Sequence, residues 1–248
     1  MKTVGDLRPM ARCLEKTDVV ILAGGQGTRL RSVVSDLPKI LVPIAGRAML
    51  DRLFDWLQGF GARRVVLALG HLSDAVERHV AAGAPAGLDV VTVVEPRPLG
   101  TGGALRFAAN ACHSDPILAL NGDTLLEADL CAFLDLYRRA GTRVSLMCAR
   151  TSDAARYGRV EIDGDRIAGF YEKDASQVGP GFVSAGVYLF ARSAIAAIPD
   201  SSAPSLERDV LGAMPGGSIA AFSQGVRFLD IGTPESLAEA GEVVRKGG

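Results

Sequence analysis

The chain lacks the features that mark several protein classes. No apolar run approaches the ~18 residues that a membrane span requires. The opening stretch MKTVGDLRPMARCLEKTD has no uninterrupted apolar segment of the kind a secretory signal carries. These absences predict a cytoplasmic protein without a membrane partner. Net charge is equally scarce: 27 Lys and Arg against 28 Asp and Glu leave a formal −1, so the chain has no bulk attraction for nucleic acid. Any anion must be held by local residues. The four cysteines (Cys13, Cys112, Cys131, Cys148) lie far apart, with no C-x-x-C pair and no metal-ligand spacing. Reduced, packed thiols are the expectation. Repeats, low-complexity tracts and single-sign charge blocks are also missing, which argues against a solenoid or a disordered tail.

What the chain does have is an ordinary globular composition, 48% apolar and 22% charged over 248 residues, enough to bury a sizeable core. Residues 1–17 read as a loose extension and 18–248 as one domain. Within it, apolar β-branched runs (VVILA at 19–23, RVVLAL at 64–69, LDVVTVV at 88–94, PILAL at 116–120) alternate with stretches of helical period at 49–60, 74–83, 102–112 and 128–141. Runs without polar alternation suit strands covered on both faces. The repeated strand, helix, strand order predicts right-handed crossovers and a doubly wound α/β core. After RVSLMCA at 143–149 the texture changes to short segments with turns, and DGD at 163–165 is a hairpin signal. Antiparallel strands added there make the sheet mixed, though mostly parallel, with helices on both faces. The stretch 226–244 reads as a strand, a turn at Gly232 and a helix with Thr233 as N-cap and Pro234 in its first position.

LAGGQGTRL at 22–30 directly follows the first strand, at the sheet edge where open α/β folds bind ligands. Gly24, Gly25 and Gly27 would bring backbone N–H groups close to phosphate oxygens, with Leu22, Ala23 and Thr28 completing the wall and Arg29 adding a charged fork. The loop is not a P-loop, which ends in G-K-[ST]. Nor is it a dinucleotide fingerprint, because Leu30 stands at the third glycine position.

G-G-x-G-T-R-L followed, ten residues after its Arg, by Pro38-Lys39 resembles the signature of sugar-1-phosphate nucleotidyltransferases, the NDP-sugar pyrophosphorylases. The resemblance implies a Rossmann-like nucleotidyltransferase fold in which Arg29 and Lys39 bind the nucleotide's phosphates. EPRPLGTGGAL at 95–105 is similar to the family segment that holds base and ribose, with Glu95, Gly100 and Thr101 as its contacts and a helix N-terminus offering free N–H donors. Guanine presents adjacent N1–H and N2–H donors that one carboxylate accepts together, so Glu95 favours GTP. Capping the nearby helix is the other role open to Glu95.

LNGD at 120–123 and FLDIG at 228–232 resemble the family's metal-binding segments, implying Asp123 and Asp230 as ligands of Mg2+, with Gly122 beside the nucleotide. Magnesium keeps phosphates and water for its remaining positions. Gly158, Glu172, Lys173, Ser184 and Gly186 resemble segments lining the sugar phosphate pocket, although the family often has Asn where Ser184 stands. Arg29, Lys39, Asp123 and Lys173 thus form the expected catalytic set. The segments run closest to heptose-1-phosphate and mannose-1-phosphate guanylyltransferases. The implied partners are a nucleoside triphosphate and a sugar 1-phosphate, and a homo-oligomer is compatible. UTP, CTP or dTTP in place of GTP is the alternative within the class. A silent nucleotide-sugar sensor is the alternative outside it. His71, His79 and His113 read as structural.

Overall fold

The computed structural model describes residues 12–25, 37–171, 179–200 and 203–247. A nine-stranded sheet forms the centre. Its strands are β1 (Val19–Ala23), β4 (Arg64–Leu69), β5 (Asp89–Val94), β6 (Ile117–Asn121), β8 (Val144–Thr151), β9 (Arg159–Asp163), β10 (Arg166–Tyr171), β11 (Gly181–Phe190) and β12 (Ile219–Phe222). They are ordered β5-β4-β1-β6-β11-β8-β12-β10-β9. Two small ladders stand apart: β2 (Pro43–Ile44) with β3 (Arg47–Ala48), and β7 (Thr124–Glu127) with β13 (Arg227–Asp230). The helices are α1 (Met49–Gly59), α2 (Ser73–Gly83), α3 (Gly100–Ala108), α4 (Leu130–Ala140), the short α5 (Arg192–Ala196) and α6 (Pro234–Gly247).

The β1, β4, β5 and β6 pairings are parallel, whereas β11 enters antiparallel to both β6 and β8. This is the expected doubly wound, mixed sheet. The two-faced burial of the strands is visible in β1, where Val19 and Ile21 join one core with Leu50, Leu53, Phe54 and Leu57 of α1. Val20 and Leu22 join the other core with Ala104, Leu105 and Ala108 of α3. The hairpin at 163–166 forms as the DGD signal predicts, with Arg166 opposite Asp163. At α6, the Ser236 N–H donates to Thr233 Oγ1 at 3.3 Å, which is the expected cap.

Three expectations need correction. The run at 88–94 looks doubly buried in sequence, but β5 lies at the sheet edge with Val94 exposed; apolar composition says nothing about strand order. Residues 12–17 are not a loose extension, because Leu14 is 1% exposed and its N–H donates to Phe60 O at 3.1 Å. Nor are all four cysteines reduced: Cys13 is bonded to Cys131 on α4, 118 residues away. Cys112 and Cys148 are the buried free thiols; burial pushes Cys112 up to about 12 and Cys148 upward too.

Alkylation in denaturant without reductant should therefore modify two of the four cysteines, and all four after reduction. Four reactive thiols before reduction would mean the bridge does not form. Cys13→Ser is expected to cost about 2–4 kcal/mol in urea unfolding, since the bridge closes a long loop in the unfolded chain.

Candidate active site

The carboxyl ends of β1, β4 and β6 open onto a cavity of about 660 Å3, within the usual range for a small-molecule site. Its position follows from topology. β1 is the strand at which the chain's connections reverse direction, and side chains at that edge cannot be covered by the crossover helices. Leu22, Ala23, Gly24 and Gly25 line it from β1, Glu95 to Thr101 from the β5–α3 connection, and Asn121 to Asp123 from the end of β6. The Gly122 N–H donates to Leu22 O at 2.9 Å, holding the two strand ends together. Gly27, Thr28, Arg29, Glu172 and Lys173 lie outside the described residues.

The charged centre is built from three separate segments. Lys39 begins a single 3-10 turn (Lys39–Leu41) whose Ile40 and Leu41 are buried and thereby fix the turn beside Gly122. Asp123 lies two residues past β6 and directly before β7. Asp230 ends β13, whose antiparallel ladder with β7 sets Asp230 opposite Thr124. Ile231 N–H donates to Asp123 O at 3.0 Å, so two aspartates 107 positions apart in sequence share one corner. Lys39 Nζ contacts Asp123 Oδ2 and lies 3.6 Å from Asp230 Oδ1. The three side chains are 19%, 34% and 29% exposed respectively.

Such a pair of hard carboxylate oxygens suits a divalent cation. The fit extends to the backbone, because a Cβ at position 232 would lie 2.6 Å from Asp230 Oδ2, so Gly232 keeps the carboxylate's place clear. Among the described residues no third His, Cys, Asp or Glu joins them, leaving coordination positions for phosphate and water.

Glu95 occupies the opposite wall. Its Oε2 accepts from the Leu99 N–H at 2.8 Å, so the capping role open to it in sequence is realised. Its Oε1 points across the cavity toward Gly24, where a side chain at position 24 would collide with it. Desolvation raises its pKa, and the Leu99 hydrogen bond opposes this in part.

The start of α3 is less open than the sequence suggests. Gly102 N–H donates to Pro204 O at 2.9 Å, and Thr101 Oγ1 accepts from Leu206 N–H at 2.7 Å. The loop at 203–206 folds against this terminus, taking one N–H that was expected to be free and giving one of its own to Thr101 Oγ1. Gly100 permits this close approach with φ +69° beside Ala203 O.

On the sugar side, Gly158, Ser184 and Gly186 do not line the cavity among the described residues, although Gly186 abuts Asn121, which does. Several lining residues were unassigned or discounted in sequence, among them Gly70, Arg97, His71 and Asn121. His71, read as structural, stands on the wall just past β4, and Asn121 precedes Gly122. The signal for His71 was its place immediately beyond the carboxyl end of a parallel strand.

A model of the nucleotidyl transferase family matches residues 18–247. The chain belongs to the nucleotidyl transferase family. Among similar members, the mannose-1-phosphate guanylyltransferase of Mycobacterium tuberculosis is 33% identical over 226 residues, covering 90% of this chain and 63% of that protein. The chain thus spans less than two thirds of that relative. The D-glycero-alpha-D-manno-heptose 1-phosphate guanylyltransferase of Aneurinibacillus thermoaerophilus is 30% identical, covering 90% of this chain and 96% of that one. The crystal structure of HddC from Yersinia pseudotuberculosis complexed with GMP-PN superposes with a TM-score of 0.81 at 34% identity. It covers 92% of this chain and 99% of that one. No helix among the described residues is long and apolar enough to cross a membrane.

Proposed function

We propose that this chain joins GTP to a sugar 1-phosphate, mannose 1-phosphate or D-glycero-D-manno-heptose 1-phosphate, releasing pyrophosphate and forming the GDP-sugar. The observation that carries the reading is the convergence of Lys39, Asp123 and Asp230 at one corner of a cavity whose far wall is Gly24, Gly25 and Glu95. The activities for which the two sequence relatives are named, both guanylyl transfer, support the base and the choice of sugars.

In this reaction a phosphate oxygen of the sugar 1-phosphate forms a bond to the α-phosphorus of GTP. The bond from that phosphorus to the β-phosphate's bridging oxygen breaks, and pyrophosphate leaves. The attacking oxygen is already ionised, so no side chain need remove a proton. The work left to the protein is to bring two anions together and steady the charge that grows on the leaving oxygen. Gly24 and Gly25 offer backbone N–H groups to the phosphates, and Lys39 supplies an ammonium. Arg29 and Lys173 are the further cations we assign to the two phosphate groups. Asp123 and Asp230 would hold Mg2+, which when bound spreads the phosphates' negative charge. Glu95 Oε1 would accept from guanine N1–H and N2–H. Supply of nucleoside triphosphates argues for a cytoplasmic location, where the Cys13–Cys131 bridge would be an uncommon feature.

Pyrophosphate release with each of four nucleoside triphosphates, Mg2+ and a sugar 1-phosphate panel tests this reading, and GTP with mannose or heptose phosphate should give the fastest release. A silent binder would raise the melting temperature with GTP yet release nothing. Glu95→Gln should lose the preference for GTP, since an amide has a single accepting oxygen where the Leu99 N–H and the guanine donors together call for two. Because desolvation raises the Glu95 pKa, lowering the pH should erode guanine preference in the wild type before ordinary carboxylates protonate. A preference unchanged in Glu95→Gln and flat with pH would refute the base assignment.

A further inference from the structure

β11 carries an irregularity between Ser184 and Tyr188, where its pairing with β8 shifts register. Because Val187 stands opposite Leu120 of β6, the residues before it run past the carboxyl end of β6, toward Asn121 and Asp123. Gly186 sits there with φ +70°, and a Cβ on it would lie 2.6 Å from Asn121 Nδ2. Ser184, two residues before the Gly186 that abuts the cavity-lining Asn121, lies behind the lining rather than within it and is half-buried.

Its hydroxyl is tied into a chain of hydrogen bonds. The Gly186 N–H donates to Ser184 Oγ at 3.2 Å, Ser184 Oγ lies 3.3 Å from the Tyr188 hydroxyl, and that hydroxyl donates to Glu207 Oε1 at 2.8 Å. Tyr188 is 1% exposed. Burial, and then Glu207, raise its pKa well above the ordinary phenol value, so it holds its single proton. Glu207 belongs to a π-helical turn (Leu206–Leu211) anchored to the cavity wall where Leu206 N–H meets Thr101 Oγ1.

The direction of this chain follows from proton counting. A carboxylate only accepts, so the Tyr188 proton goes to Glu207. The Tyr188 oxygen must then accept from Ser184, whose own proton is thereby committed. Ser184 Oγ also accepts from Gly186, which leaves it one acceptor site and no donor. Asn, by contrast, both donates and accepts.

We propose that Tyr188 and Glu207 are positioning residues that hold the Ser184 hydroxyl as an acceptor toward one hydroxyl of the sugar 1-phosphate, making this position selective for a group that donates. The inference rests on the nucleotidyltransferase reading above and specifies its sugar side. Nothing in it requires Tyr188 or Glu207 to touch the substrate.

The test uses sugar 1-phosphates in which each ring hydroxyl in turn is replaced by hydrogen or by fluorine, with GTP and Mg2+. Fluorine accepts weakly and cannot donate. In the wild type, one position should lose kcat/KM by about tenfold or more with either replacement, fluorine being no better than hydrogen. Tyr188→Phe releases the Ser184 proton to turn outward, so at that position the fluoro analogue should recover several-fold relative to the deoxy one. The natural substrate's KM should rise with kcat little changed. Glu207→Ala should act in the same way, because Tyr188 would then donate to Ser184, while Glu207→Gln, whose amide oxygen still accepts, should keep the wild-type pattern. Thermal melts confirm that each variant is folded. Equal loss for every analogue in Tyr188→Phe and Glu207→Ala would reduce both residues to packing and overturn the relay alone. Absence of wild-type turnover with every sugar phosphate would overturn the nucleotidyltransferase reading and this inference with it.

Discussion

Asp123→Asn should lower pyrophosphate release by on the order of 10^3-fold, about 4 kcal/mol of transition-state stabilisation, while leaving the fold intact. The substitution keeps the shape of the side chain and removes only its charge. The backbone tie from Ile231 N–H to Asp123 O does not depend on that charge. The ion pair it breaks, with Lys39, is partly exposed, and such pairs contribute little to stability. Urea unfolding should therefore shift by less than about 1 kcal/mol, which separates a chemical role from a structural one. Near-normal release at saturating Mg2+ would remove Asp123 from the reaction and, with it, the reading of the corner as a cation site. Asp230→Asn should follow the same pattern.

Lys39→Met should cost about 10^2- to 10^3-fold in kcat/KM, with a different signature. Methionine preserves length and apolar stem but removes the ammonium that lies between Asp123 and Asp230. Two carboxylates then face each other without a compensating charge. Titration with Mn2+ in the absence of nucleotide should consequently show tighter binding in the variant than in the wild type, even as turnover falls. A drop in turnover with unchanged or weaker Mn2+ binding would mean that Lys39 does not occupy the shared space in solution.

The parts of the molecule that were legible in sequence are those in which local pattern carries the information. The loop at Gly24–Gly25, the aspartate at the end of β6 and the DGD hairpin each follow from residues adjacent in the chain. The resemblance to nucleotidyltransferases added Asp230. What set its place is the β7–β13 ladder, a pairing between segments about a hundred residues apart that no local period announces. The Cys13–Cys131 bridge was illegible for the same reason, since widely spaced cysteines look alike whether bonded or free. β5 was misjudged because a strand's apolar content reports that it packs, not which neighbours it has. At α3, sequence located the helix start but could not anticipate that the 203–206 loop would claim Gly102 N–H and Thr101 Oγ1. Tyr188 and Glu207 escaped notice because a tyrosine in an apolar strand reads as core, and only the fold supplies the carboxylate that its hydroxyl meets.

The separation of the β7–β13 ribbon from the nine-stranded sheet has a consequence for how this protein tolerates changes of length. Side chains alternate faces along a strand, so one residue added between Arg227 and Asp230 would turn the aspartate outward and strip the corner of half its anionic charge. An extra residue in the exposed turn at Gly164–Asp165 lies at the far edge of the sheet and would only lengthen a loop. Tags or reporter peptides therefore belong at that turn, and the four residues of the ribbon's second strand are the stretch where a single codon gained or lost silences the molecule without unfolding it.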